Sequence, residues 1–461
     1  MPDILPVLLA LAPVLPKTTC RQLHRIVVAM LAMTGRITQL GISRWTDKGG
    51  SYRTVQRFFH TQIDWLAVKW LFFLRFVYDP NGTYLLAGDE TVVTKSGKHT
   101  HGLDRFFSSL CDRAVPGLAF FSMALIHVGH RKAYSLSNEQ VIRTQEEKEQ
   151  AKQRKQKQKS ARQKQAGKTS PPKKPRGRPK GSKNKIKAEA PLSAELLRIK
   201  AQAQKVMALL KTRMAVSYFV LDGHFGNHLA CQMVRQLDLH LISKMRSDAA
   251  LYLQPTALQK QTTPQRKYGE RLDFAQMPEA LLGSTHTEDG YETRVYRALC
   301  LHKNFDRLLN VVILQRTHLQ SGRVGHVILF SSDLFLGALA LIDYYGLRFQ
   351  IEFTFRDAKQ HFGLEDFMGL KKTSIANAMS LSLFMGNLSS YLLGSMRSYY
   401  PGAGISDLKS WYRGRHYASA LLKMLPENPD AIICEQIVEQ ICRLGLIHLP
   451  PETVSEQKMA A

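Results

Sequence analysis

The sequence predicts an α/β protein: a mixed sheet flanked by helices, with a β-rich insertion and helical N- and C-terminal regions. Three observations lead there. Two apolar runs, Tyr84–Asp89 and Ala215–Asp222, each read as a short buried strand that ends on an aspartate. Strand-like and helix-like stretches alternate around them, the pattern of a sheet covered by helices. A helical stretch from about Ala338 carries a narrow polar stripe on a body rich in Phe349, Ile351, Phe353 and Phe355.

Residues 1–78 read as helical, with Leu23, Ile26, Val27, Met30 and Leu31 at helical spacing. Cations stand beside aromatics at Ser43–Trp45 and Gly49–Phe59, around a turn. That fits a helix-turn-helix-like DNA reader or, equally, a packing domain with a basic face. Residues 79–140 form the first part of the core: the Asp89 strand, a hairpin partner at Thr91–Val93 and a strand at Leu118–His127. A basic linker, 141–191, precedes the second part, 192–249. There a helix at about 192–212 leads to the Asp222 strand, a helix at Asn227–Leu237 and a strand at Leu239–Ser243. Within 250–334, Tyr291–Leu301, Leu308–Gln315 and Gly325–Ser331 alternate or run apolar as strands do. The arginines of this insertion are either phosphate contacts or ordinary solvated side chains. Residues 335–370 hold the striped helix. Residues 371–461 read as three helices, Ser374–Arg397, Leu408–Leu425 and Asp430–Leu446, suited to dimer contacts or to holding DNA ends.

The stripe carries the chemistry. At roughly 100° per residue, Tyr345, Arg348, Glu352 and Lys359 fall within about 60° of one another on one helix, and Arg356 joins them. A carboxylate ringed by cations and a phenol suits a group that holds a metal ion beside a phosphate while the cations grip neighbouring phosphates. The plainer alternative is an amphipathic helix with surface ion pairs. An acid at a strand end is by itself more often a turn former or a helix cap. Two such acids together with Glu352 fit a pair of Mg²⁺ ions acting on a phosphodiester.

These residues resemble a family. Tyr345-x2-Arg348-x3-Glu352-x6-Lys359 is similar to the Tyr-Arg-Glu-Lys signature of DDE transposases of bacterial insertion sequences, the insertion-sequence "four" family. Asp89-Glu90-Thr91, followed by Lys95, Gly97 and Lys98, resembles the segment around that family's first catalytic Asp, and Val220–Gly223 the segment around its second. The resemblance implies an RNase H-like core with Asp89, Asp222 and Glu352 as ligands of two Mg²⁺ ions, which Mn²⁺ can replace. It implies cleavage at transposon ends and attack of the freed 3′-hydroxyl on target DNA. Lys95, Lys98, Tyr345, Arg348, Arg356 and Lys359 then become DNA contacts, and paired cuts call for a homodimer on DNA. Phe349 stands where family members often carry Trp, and the insertion holds no Trp, which leaves excision through a DNA hairpin open.

Composition agrees with a polyanionic partner. The chain has 461 residues, a formal net charge of +27 and a pI near 9.9. Lys152 to Lys187 contains 16 Lys and Arg and no acid; without it, 48 basic residues still face 37 acidic ones. Like charges, Pro and Gly predict disorder there. Pro175-Arg176-Gly177-Arg178-Pro179 resembles an AT-hook, in which Arg176 and Arg178 would enter the minor groove of A·T-rich DNA. Six cysteines without paired spacing read as free thiols rather than a zinc site or disulfides. Leu5–Leu15 and Ser380–Leu393 are too short and too interrupted to span a bilayer. The expectation is a bacterial cytoplasmic, nucleoid-associated enzyme with no membrane contact. Its rivals are a metal-dependent nuclease that never joins DNA, and a non-catalytic AT-hook binder derived from a transposase.

Overall fold

The computed structural model describes residues 4–46, 49–108, 111–149, 153, 156, 190–256, 266–425 and 430–449. It is a mixed α/β structure that divides into two compact units: residues 1–140 with 349–461, and residues 141–348.

The first unit joins both ends of the chain in one hydrophobic core. Its N-terminal helices are α1 (Ile4–Leu9), α2 (Lys17–Ala32), α3 (Gln39–Arg44), α4 (Tyr52–His60) and α5 (Trp65–Phe76). The strands β1 (Tyr84–Thr94), β2 (Asp104–Ser108), β3 (Arg113–His127) and β4 (Lys132–Val141) follow. Antiparallel β3 pairs β1 from Tyr84 with His127 to Thr94 with Gly117. That unbroken ladder makes one strand of the two segments that the sequence suggests, Tyr84–Asp89 and Thr91–Val93. Asp89 is therefore mid-strand, not strand-terminal.

The second unit is described by itself. Helices α6 (Ala194–Leu210) and α7 (His228–Arg235) accompany β5 (Tyr218–Val220), β6 (His240–Met245) and β7 (Leu251–Tyr252). Then come β8 (Leu282–Glu288), β9 (Tyr291–His302), β10 (Leu309–His318), β11 (Val324–Ser331) and α8 (Ala338–Leu347). Its strands run β5-β6-β11-β10-β9-β7, with β8 on β9. The β5/β6 pair is parallel and β6/β11 antiparallel, so the sheet is mixed. Segment 250–334 is β-rich, and through β11 it extends the same sheet that carries β5.

The remaining helices return to the first unit: α9 (Phe349–His361), α10 (Lys372–Met396), α11 (Ile405–Leu422) and α12 (Ala431–Arg443). The single striped helix of the sequence reading is thus two helices. At Arg348 the amide bonds the Tyr345 carbonyl, three residues back instead of four, and α9 begins at the next residue. Tyr345 belongs to α8 and Arg348 caps its end, while Glu352 and Lys359 belong to α9. The stripe argument holds only within α9.

In the core, α9 and α10 meet α2, α4 and α5 through Ile351, Phe355, Phe384 and Leu388 against Val27, Phe58 and Phe72. Polar ties fasten the same elements. Asn387 Oδ1 accepts the Ser135 amide at 2.9 Å and its Nδ2 donates to the Ser135 carbonyl at 2.8 Å. Lys69 is fully buried, with Nζ donating to Asn138 Oδ1 at 2.6 Å. Burial lowers its pKa to about 7. An unfolded lysine titrates near ~10.4, so between these values the unfolded chain binds the extra proton and stability rises with pH. Lys69→Met removes that proton. Against wild type, the variant should lose about 1 kcal/mol per pH unit of relative stability from pH 7 to 10. Urea unfolding at several pH values measures this, and parallel profiles would refute it.

All six cysteines are free, four of them buried. Among the described residues, no helix is long and apolar enough to cross a membrane.

Candidate functional site

Asp89 sits opposite Ser122 on β3, and opposed residues of an antiparallel pair project to one face. Period-two alternation puts Asp89 on the face of Val93, and Ser122 on that of Leu118, Phe120 and Ala124. These apolar residues share a core with Ile351, Phe355 and Ala358 of α9. Asp89 thus lies on the sheet face that α9 covers. Its Oδ1 accepts the Glu90 amide at 2.8 Å, a local bond inside a strand and not a helix cap.

On α9, Glu352 and Lys359 are two turns apart and about 20° apart around the axis. Lys359 Nζ donates to the Val92 carbonyl at 3.0 Å and pairs with Glu365 at 3.3 Å. Lys95 fastens the loop after α9: its Nζ donates to the Glu365 and Phe367 carbonyls at 3.2 and 2.6 Å. The carboxyl ends of β1 and α9 therefore lie together. From the Lys359–Val92 contact, Glu352 is seven residues back along the helix, about 10 Å. Asp89 is three residues back along the strand, also about 10 Å.

Burial pushes Lys95 down to about 8, although Asp366 and Glu365 favour its charge. Its ammonium is engaged within the fold. Lys98 is exposed. Arg356 pairs with neighbouring Asp357 at 3.2 Å and lies 4.8 Å from the Phe353 ring centre. Replacing Lys359 by Met should cost about 1.5 kcal/mol, because a charge-assisted bond to a backbone carbonyl is lost. The melting temperature measures it; an unchanged value would show that this bond contributes nothing.

In the second unit, Phe219, Val220 and Leu221 are fully buried and fix the approach to Asp222. The Leu221 amide bonds the Ile242 carbonyl at 3.0 Å, and the Ser243 hydroxyl donates to the Asp222 carbonyl at 2.7 Å. A 3-10 turn, Gly223–Phe225, follows. Gly226 then passes so close to β6 that a Cβ there would collide with the Lys244 carbonyl oxygen. The backbone around Asp222 is thus firmly held, yet its side chain makes no capping bond. Its Oδ1 is buried with no hydrogen-bond partner among the described residues. A buried carboxylate oxygen left so demands an explanation. On α8 Tyr345 is half-buried, and Arg348, which caps that helix, is 7% exposed.

Among the described residues, no three His, Cys, Asp or Glu side chains gather closely enough to hold a metal ion. Arg176 and Arg178, with the AT-hook-like motif, lie outside the described residues. Sequence reading missed Ser122, Ser243 and Glu365, whose importance comes only from the strand and loop they meet. Of the insertion's arginines, Arg294 pairs with Glu292, Arg307 with Asp306, Arg297 donates to Asn310 and Arg316 lies over Tyr291, while Arg323 is exposed.

Asp89 and Glu352 thus lie on a strand and on a helix of the first unit that packs against the sheet, and Asp222 follows β5 in the second. The chain belongs to the family described as DDE superfamily endonuclease, which matches residues 10–297. The match includes Asp89 and Asp222; Glu352 lies beyond it. No curated protein matches the chain.

Proposed function

We propose that this DDE superfamily protein is a DNA transposase. In this reading it cuts the ends of an insertion sequence of the insertion-sequence "four" family and transfers the 3′-hydroxyl strands to target DNA. The observation that carries the reading is the buried Asp222 oxygen, anchored by its backbone and spared from capping, as a cation ligand would be. The donor set is oxygen-only, which suits Mg²⁺ or Mn²⁺. Asp89, Asp222 and Glu352 would hold the ions on an RNase H-like core. When bound, two such ions supply activation of the attacking oxygen and stabilisation of the leaving one.

The chain's own residues do the rest. Arg348 and Lys359 grip phosphates beside the scissile bond, Tyr345 orients a backbone oxygen, and Lys98 and Arg356 hold flanking DNA, while Lys95, read from the sequence as a further DNA contact, fastens the loop after α9. Arg176 and Arg178 bind an A·T-rich minor groove, and two protomers pair the ends in the bacterial cytoplasm, at the nucleoid. The family's description as an endonuclease favours one second reading, hydrolysis without joining. Linear DNA carrying the repeats that flank the gene, incubated with Mg²⁺ and either wild type or Glu352→Gln, separates them. Joined products from wild type alone support transposition. Cut but unjoined DNA supports the nuclease, and binding without cutting defeats both.

A further inference from the structure

The opposite edge of α9 carries a constellation of another kind. Phe353, Asp357 and Gln360 stand three or four residues apart, on an edge distinct from that of Glu352 and Lys359. There, β4, α9 and α10 enclose a cavity of about 530 Å³ into which Lys132, Arg356 and Arg397 converge. Its one lining carboxylate among the described residues, Asp357, is already occupied by Arg356 at 3.2 Å. Lys132 is half-buried and donates only to the Ser390 hydroxyl, at 3.1 Å, while Arg397 Nε donates to the Ala403 carbonyl at 2.9 Å.

Neither Lys132 nor Arg397 has a carboxylate partner among the described residues. Burial and the nearby Arg397 guanidinium together hold Lys132 below the usual lysine range. Arg397 is exposed at the rim, and two like charges facing one cavity favour an anion between them. An ammonium and a guanidinium fork together match the oxygens of a phosphate. Beside them the Phe353 ring, 43% exposed, offers a flat apolar surface of the kind on which a base stacks.

We propose that this cavity is a phosphate-binding site in which Lys132 and Arg397 clasp the phosphate oxygens. The phosphate comes from a DNA strand or from a free ion. The first source rests on the DNA-handling reading above; the second does not.

The test uses the full chain in chelator, so that no cleavage enters the result. An arbitrary duplex is titrated across a range of KCl, and inorganic phosphate is tested by thermal shift at matched ionic strength. Wild type is compared with Lys132→Gln, Arg397→Gln, the double variant and Lys132→Arg. If DNA supplies the phosphate, the log–log salt slope becomes shallower by about 0.9 for each cation removed, and Lys132→Arg keeps the wild-type slope. If the free ion is the ligand, phosphate raises the melting temperature of wild type but not of the double variant, and the DNA slopes coincide. Variants that match wild type with both probes overturn the site. So does a Lys132→Gln protein that melts below wild type without phosphate, since relief of repulsion predicts an equal or higher value. Ends cut by a wild type whose variants keep its slopes and its phosphate response would defeat this site alone and leave the transposase reading intact.

Discussion

Asp222→Asn should abolish strand cleavage while leaving the protein folded and able to bind DNA. Metal-assisted stabilisation of phosphodiester charge is worth several kcal/mol, and each ~1.4 kcal/mol is tenfold in rate. A loss of about a thousandfold or more is therefore expected. The amide keeps the shape of the carboxylate, and Oδ1 has no partner to lose among the described residues. The Ser243 bond is to the Asp222 carbonyl, so the substitution leaves it in place. Without divalent ions the variant should melt within about 1 kcal/mol of wild type. With Mg²⁺, wild type should gain stability in proportion to occupancy, and the variant should gain less. A variant that still cuts at the wild-type rate would remove Asp222 from the metal-ligand set. One that simply unfolds would recast the buried oxygen as structural.

Asn377→Leu should destabilise the first unit by about 3–5 kcal/mol, enough to lower its melting temperature by roughly 10 °C. Asn377 is 2% exposed on α10. Its Oδ1 accepts the Trp65 indole N–H at 2.8 Å, and its Nδ2 donates to the Phe59 and Thr61 carbonyls at 2.9 and 2.8 Å. One side chain thus satisfies the end of α4 and the start of α5. Leucine of similar volume would strand one donor and two acceptors in a dry core, the expensive way to lose hydrogen bonds. Thermal melting followed by tryptophan fluorescence reads the effect directly, since Trp65 is part of the network. A shift below about 2 °C would mean that water or a rearranged loop replaces these bonds.

The same helix shows what could be read from the sequence and what could not. Its period and extent were plain: Ser374–Arg397 was expected and Lys372–Met396 is found. Its serines and Asn387 looked like interruptions of an apolar run. In the structure Ser380, Asn387 and Ser390 are ties between elements, but their partners, such as Ser135, lie some 250 residues away. No local pattern records such a pairing. The strand β8 is exposed along most of its length and has no apolar alternation to betray it. In β4, Tyr134, Ser135, Leu136 and Ser137 alternate apolar and polar yet are all buried, so the alternation does not report which side chains are covered. The candidate acids were legible because a carboxylate in or beside an apolar run is locally anomalous. Their surroundings were not, because Asp89 proved mid-strand and the chain breaks its helix at Arg348.

The shared core of the two chain ends also sets a timetable for biosynthesis. Leu8, Val27, Phe58 and Phe72 pack with Ile351, Phe384 and Leu388, across roughly 270 residues of intervening chain. At ~5–20 residues per second, the first five helices leave the ribosome about 15 to 60 s before α9 exists to cover them. Their apolar faces must wait, open to chaperones or to aggregation. The second unit, continuous from 141 to 348, meets no such delay. Nascent chains should therefore mature from the middle outward.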